Sequence, residues 1–189
     1  MNRSLEKFNR LVDALQELPT IGKKSATRLA YFMIMNDTYT GIKISHAIED
    51  AIGSLKKCKE CGGMSEDELC YICSDDGRDH TLLCIVENAK DILLLEENGL
   101  FDGRYFVLDS LEELSVSHLE DLVQSGVNEI LFALTPSIAN DAVILYIEDK
   151  LSGYKLNFTK IAQGVPTGVS LENIDLLSLT RALEDRVRV

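Results

Sequence analysis

Leu5, Phe8, Leu11, Leu15 and Leu18 fall on one face of a helix over residues 4–18, with charged and amide side chains between them. Pro19-Thr20-Ile21-Gly22 then breaks the pattern with two strong punctuators. Helical spacing resumes at about Ser25, with Ala26, Leu29, Ala30 and Met33 directed inward, and a third helix carries Ala47, Ile48, Ala51, Ile52 and Leu55. The first 55 residues therefore predict a small helical module. After residue 80 the period changes. Short apolar runs at Leu82–Val86, Tyr105–Leu108, Glu129–Leu134 and Lys155–Ile161 alternate with helical stretches near Ala89–Glu97, Leu119–Gln124 and Ala139–Lys150. Ser117 with Glu120 forms a capping box, and Gly126 and Gly153 are helix stops. Such alternation with short links predicts an α/β domain with a largely parallel sheet. Leu171–Arg186 reads as a turn and helix ending in a basic tail.

Between these regions lies CKECGGMSEDELCYIC, in which Cys58, Cys61, Cys70 and Cys73 read C-x2-C-x8-C-x2-C. Two close pairs across a short loop can set four thiolates at the corners of a tetrahedron, the arrangement of structural zinc. Disulfides are the competing reading, with three possible connectivities. The N-terminal MNRSLEKFNRL is charged and has no apolar core segment, so a reducing cytoplasm and free thiols are expected. Four cysteines leave no open coordination position, which points to one structural zinc per chain. Ser65-Glu66-Asp67-Glu68 reads as the solvated tip of the loop. Cys84, within the apolar run TLLCIVE, reads as a core residue.

Charge sharpens the division. The chain of 189 residues carries a net charge of -12, which by itself argues against nucleic acid. Residues 1–60, however, hold ten Lys/Arg and seven Asp/Glu, a net of +3, whereas residues 61–189 hold nine and 24, a net of -15. That asymmetry suggests a charged partner for the first module. No apolar run reaches the roughly 18 residues of a membrane span. His46, His80 and His118 fall in no arrangement that resembles a catalytic triad, and each reads as a surface residue.

In LPTIGKKSATRLA (residues 18–30) a tight Gly-containing turn feeds a helix whose first N–H groups are a ready anion site. Lys23, Lys24 and Arg28 stand beside it, and Lys24 and Arg28, four apart, share a face. The geometry suits a DNA phosphate and carries no base information. An ordinary αα-hairpin with a solvated basic face remains equally open on pattern alone.

The stretch resembles the helix-hairpin-helix of the RecR family of recombination mediators, whose usual form is close to LPGIGPKSAQRLA. Thr20 stands where the family commonly has Gly, and Lys23 where it has Pro; Gly22, Lys24, Ser25, Ala26 and Arg28 match. The four cysteines match in spacing, as do CIVENAKDI (84–92), GRYFVL (103–108), IAQGVPTG (161–168) and SLTRALEDR (178–186), so the resemblance spans essentially the whole chain. It implies four parts: a helix-hairpin-helix module (1–55), a zinc finger (56–79), a Toprim-like domain (80–165) and a C-terminal helical segment (166–189). Catalytic Toprim domains hold a divalent metal on a strand-end Glu and a later Asp-x-Asp, oxygen ligands suited to magnesium. Glu87 fits the first position, but Thr135-Pro136-Ser137 occupies the second, and Asp141 alone cannot replace two carboxylates. The resemblance thus implies a Toprim scaffold without its chemistry, with Glu87 a structural or partner-contacting carboxylate. After GRYFVL the family's glycine-rich loop is replaced by DSLEELSVSHLEDL, shorter and acidic. The implied function is a non-enzymatic DNA-binding mediator, forming homodimers and a ring-shaped tetramer around DNA. It would work with RecO, and in many bacteria RecF, to load recombinase on DNA coated by single-strand-binding protein. A magnesium-dependent nuclease or topoisomerase-like enzyme on the same scaffold, or a protein-binding zinc adaptor, are the alternatives.

Overall fold

The computed structural model describes residues 5–97, 99, 101–108, 116–162, 170, 173, 174, 178 and 180. Most of the turn and helix expected over 171–186 and most of the 161–168 motif lie outside the described residues, as do positions 109–115 of the acidic stretch. The chain divides into two units, residues 1–55 and 56–189.

In the first unit α1 (Glu6–Gln16) and α2 (Lys23–Tyr31) form a hairpin, followed by a π-helical turn (Phe32–Asn36) and α3 (Thr38–Ser54). Its core is small: Val12, Ala26 and Ala30 are buried, with Phe8, Leu11, Leu15 and Ile21 packed against them. The two alanines let α2 approach α1 closely, and the apolar stripe expected on α1 is the one used. Burial departs from expectation further on. Leu29 is exposed, and α3 has no buried residue; Ile48 and Ile52 are 55% and 79% exposed. Asp37 caps α3, accepting from Thr40 N–H at 3.0 Å and from its hydroxyl at 2.6 Å. Those bonds hold the Asp37 carboxyl below its usual range.

The second unit opens with a two-stranded antiparallel hairpin, β1 (Lys56–Lys57) and β2 (Met64–Ser65). A four-stranded parallel sheet follows, made of β3 (Asp79–Val86), β4 (Gly103–Val107), β5 (Glu129–Ala133) and β6 (Asn157–Lys160) in the order β4-β3-β5-β6. The links are α4 (Ala89–Glu97), α5 (Val116–Gln124) and α6 (Ile138–Lys150). The chain moves one way from β3 to β4, then back past β3 to β5 and β6. Right-handed crossovers place α4 on the opposite face from α5 and α6.

Strand alternation divides the core accordingly. Leu83, Ile85, Phe106, Ile130 and Phe132 point to the side packed by Leu119, Leu122 and Val123 of α5 and Val143 and Ile147 of α6. Cys84, Val86, Tyr105 and Val107 point to the other, where they meet Ile92 of α4 and also Cys58, Cys61, Cys70 and Ile72. A parallel sheet needs cover on both faces. Here the cysteine segment supplies part of one cover. Cys84 is fully buried, as expected for a core residue, and burial pushes its thiol up to about 12. A mostly buried clamp joins α4 to the sheet: Arg78 donates to Glu96 and to the Phe101 carbonyl at 3.0 Å, and Tyr105 donates to Glu96 at 2.8 Å. Burial opposes ionisation of Glu96, but the bonds from Arg78 and Tyr105 outweigh it and hold the carboxyl low.

The hairpin turn of the first unit carries a conformational penalty. Thr20 adopts φ 68°, left-handed backbone that a β-branched residue avoids. An L-residue there costs roughly 1–2 kcal/mol, of which glycine returns about 0.5–1 kcal/mol to unfolded-chain entropy. Thr20→Gly is therefore expected to stabilise the first unit by about 0.5–1 kcal/mol, read as a raised urea midpoint of its unfolding transition. A lowered midpoint would contradict the strain.

Candidate metal centre and nucleic-acid interface

Two short turns present the four cysteines. Gly62 N–H donates to the Cys58 carbonyl at 3.0 Å, and Ser74 N–H to the Cys70 carbonyl at 3.0 Å, so each C-x2-C pair is wound into one turn with both sulfurs on the same side. Gly62 takes φ 76° and lies against Val107, where a Cβ would come within 3.3 Å, so a larger residue would both strain the turn and lift it off the sheet. The four Sγ atoms lie within 4.8 Å of one another, and Cys61 and Cys70 sulfurs are 3.6 Å apart. A tetrahedron with Zn–S bonds of about 2.3 Å has an edge of about 3.8 Å, so the cluster is of the right size. All four cysteines are free of disulfides. Backbone N–H groups of Gly63 and Cys70 point at the Cys61 and Cys58 sulfurs, each at 3.3 Å, as donors do toward thiolates.

The electrostatics favour a cation. The hydrogen bond from Cys73, then those from Gly63, Cys58 and Cys70, bring the Cys61 thiol down to about 6 against the opposing effect of burial. Burial pushes Cys70 up to about 11, and Cys73, bonded to Cys61, is raised further. Burial and the neighbouring sulfurs thus oppose a charge on Cys70 and Cys73, and a divalent ion among the sulfurs would offset that opposition. The donor set and its dimensions fit structural zinc, with the four thiolates closing its coordination.

The finger is bound to the sheet along a specific seam. Among the described residues β4 is an edge strand, and its Val107 N–H donates to the Cys61 carbonyl at 2.8 Å. Arg104, 5% exposed, donates to the Glu60 carboxylate at 3.1 Å, to the His80 carbonyl at 3.2 Å and to Ser125 Oγ at 2.8 Å. His118 Nε2 lies 2.6 Å from the Glu60 carbonyl, half-buried rather than on the surface as expected. His46 and His80 are exposed. The Glu60–Cys61 segment thus wraps the β4 edge, gripping it from both faces. Sequence reading missed this seam; an arginine inside the buried strand GRYFVL was its available signal. The expected acidic tip is mixed, with Ser65 buried and Glu66, Asp67 and Glu68 exposed.

Glu87 follows β3 and Thr135 follows β5. Because the helices after these neighbouring strands lie on opposite faces, their carboxyl ends form the switch-point crevice where α/β sheets bind ligands. Glu87 accepts there from Thr135 N–H at 2.8 Å, from Thr135 Oγ1 at 3.1 Å and from the Asn140 amide. Ser137 Oγ caps α6, accepting from Asn140 N–H at 3.1 Å. The carboxylate is therefore satisfied by neutral donors, and the hydroxyl of Ser137 is engaged in holding a helix.

Lys23, Lys24 and Arg28 are exposed on α2. Gly22 is the N-cap, with no side chain bonded to the helix end and open space where a Cβ would lie. The first N–H groups of α2 thus face outward beside two lysines.

Comparison with known proteins gives two family matches. The model described as RecR, helix-hairpin-helix, covers residues 8–52, and the model of the RecR zinc finger domain with four cysteines covers residues 55–75. Across 190 aligned positions covering 100% of both chains, the sequence is 54% identical to the recombination protein RecR of a Nitratiruptor species. It is 51% identical, with the same coverage, to that of a strain of Campylobacter jejuni subsp. jejuni. Against that of a strain of Helicobacter pylori the identity is 48%, over 98% of this chain and 96% of the relative.

Cys70→Ser is expected to lower bound zinc well below one ion per chain and to destabilise the second unit by about 4 kcal/mol or more, as losses of structural metal do. Elemental analysis with denaturant unfolding reads both. Full stability in the variant, with no zinc in the wild type, would rule out the metal centre.

Proposed function

Since the chain belongs to the RecR family of recombination proteins, with a role in recombinational DNA repair, we propose that it is a non-enzymatic DNA-binding mediator. In this reading it works in the cytoplasm with RecO, and with RecF where present, to load recombinase on single-stranded DNA. The four parts 1–55, 56–79, 80–165 and 166–189 divide the work: DNA contact, a zinc-stiffened cover, a partner-facing α/β scaffold and a C-terminal segment.

The observation that carries DNA contact is the uncapped N-terminus of α2 with Lys23, Lys24 and Arg28 exposed beside it. Backbone donors and side-chain charges converge there on an anion. Such contacts hold phosphates, so binding is indifferent to sequence and sensitive to salt. One such patch is weak in a chain of net charge -12. A homodimer or tetramer ring makes it multivalent, and linked sites gain avidity without new contacts. The stripe Ile44, Ile48, Ile52 and Leu55, all exposed in the single chain, supports self-assembly, because soluble monomers rarely leave so continuous an apolar face in water.

The absence of catalysis is supported by the chemistry of the crevice. Thr135 and Ser137 stand where two carboxylates are needed, and Glu87 has its oxygens taken by Thr135 and Asn140. Glu87 thereby fixes the turn after β5 and presents it as a surface for a partner.

Replacing Lys24 and Arg28 together by Ala removes two phosphate contacts of about 1 kcal/mol each. Affinity for single-stranded DNA is expected to fall about thirtyfold at low salt, for every sequence. The slope of log K against log salt should shrink by about 0.7 per lost contact. Fluorescence anisotropy reads both quantities. An unchanged affinity and slope would remove α2 from the interface.

A further inference from the structure

Along the second half of α2 and the π-helical turn runs an open groove of about 730 Å³, within the range of about 300–1,000 Å³ typical of ligand clefts. Ser25, Thr27, Arg28, Tyr31, Phe32 and Asn36 line it. Among its described lining residues Arg28 is the one charged side chain, and no carboxylate is present, in a chain whose net charge is -12. Tyr31 and Phe32 are 53% and 45% exposed, two consecutive aromatic rings facing solvent.

The rings are held outward by the backbone. Ala26 and Ala30 take the inward side of α2. The π-helical turn then closes with the Asp37 N–H donating to the Phe32 carbonyl at 2.8 Å, and Asp37 in turn caps α3. Gly41 of α3 lies so close to Met33 that an added Cβ would meet its carbonyl oxygen at 3.0 Å, so α3 packs directly on this turn. Phe32 therefore sits on a locked backbone, and π-helical turns of this kind recur at functional sites.

Sequence-tolerant recognition of a single strand needs cationic contacts for phosphates and aromatic faces for unstacked bases. Both are present along one helix. The N-terminal end of α2 with Lys24 lies at one end, Arg28 one turn on, and Tyr31 and Phe32 at the other end. Lys24 and Tyr31 are about 10 Å apart along the axis. We propose that this groove is a nucleobase-stacking site for single-stranded DNA, in which Tyr31 and Phe32 take bases while Arg28 and the start of α2 take phosphates. It rests on the DNA-binding reading above and adds to it a preference for single strands, since a duplex keeps its base faces covered.

The chain contains no tryptophan, so Phe32→Trp in the full chain places a sole indole in the groove. Oligo(dT) is expected to quench its emission, and an abasic oligomer of equal length is not. The Tyr31→Ala/Phe32→Ala variant should bind oligo(dT) about tenfold or more weakly, with its salt slope, duplex affinity and abasic-oligomer affinity unchanged. Tyr31→Phe/Phe32→Tyr should restore binding. Equal quenching by the abasic oligomer, or undiminished oligo(dT) affinity in the double alanine variant, would overturn the proposal. So would emission that shifts with protein concentration in the absence of DNA, together with a lower mass in solution for the alanine variant; the groove would then be covered by a second copy. A wild type that binds neither oligomer removes the DNA-binding reading as well. Sensitivity to Lys24 and Arg28 without sensitivity to Tyr31 and Phe32 removes the stacking site alone.

Discussion

Four sulfurs within 4.8 Å of one another repel as thiolates unless a cation lies among them. The second unit depends on meeting that condition. The turns that carry the sulfurs also carry Glu60 and the Cys61 carbonyl, and these grip the edge strand β4 through Val107, Arg104 and His118. Zinc binding by the four cysteines therefore fixes more than a loop. It fixes one cover of the parallel sheet and the hydrogen bonds of its exposed edge, a place where an uncovered strand invites mispairing.

The strand order makes this cover necessary. With β4-β3-β5-β6 and right-handed crossovers, two helices fall on one face and a single helix on the other among the described residues. On the face of α4 the cysteine segment packs Cys58, Cys61, Cys70 and Ile72 against Cys84, Val86 and Val107. The same reversal of strand order creates a crevice at the ends of β3 and β5. In this chain Glu87, Thr135 and Asn140 close it with hydrogen bonds. One topology thus accounts both for the docked finger and for the crevice that these hydrogen bonds bridge.

Much of this was legible in the sequence because it is local. Cysteine spacing specifies the two turns, and period-two and period-3.6 patterns specify the strands and helices. The seam was not legible, because its central bond joins two backbone groups, Val107 N–H and Cys61 carbonyl, whose side chains do not announce it. Arg104 and His118 are polar residues whose partners come from 44 and 58 positions away, beyond any local pattern. The apolar stripe of α3 was legible as a stripe; periodicity reports which side avoids water and not what covers it. At Thr20 the sequence departs from the family's glycine, yet the backbone keeps the left-handed conformation. The hairpin closure and the Ala26–Ala30 contact outweigh the strain of one residue.

The central claim is that zinc supports the sheet edge through the Cys61–Val107 seam, and is not confined to ordering its own loop. Backbone amide hydrogen exchange, followed in the intact protein with zinc bound and after chelation, tests it most directly. The account predicts that chelation strips protection from β4, Val107 above all, and from the end of α5 near Ser125, together with residues 56–75. Retention of full β4 protection while residues 56–75 alone exchange freely would contradict it.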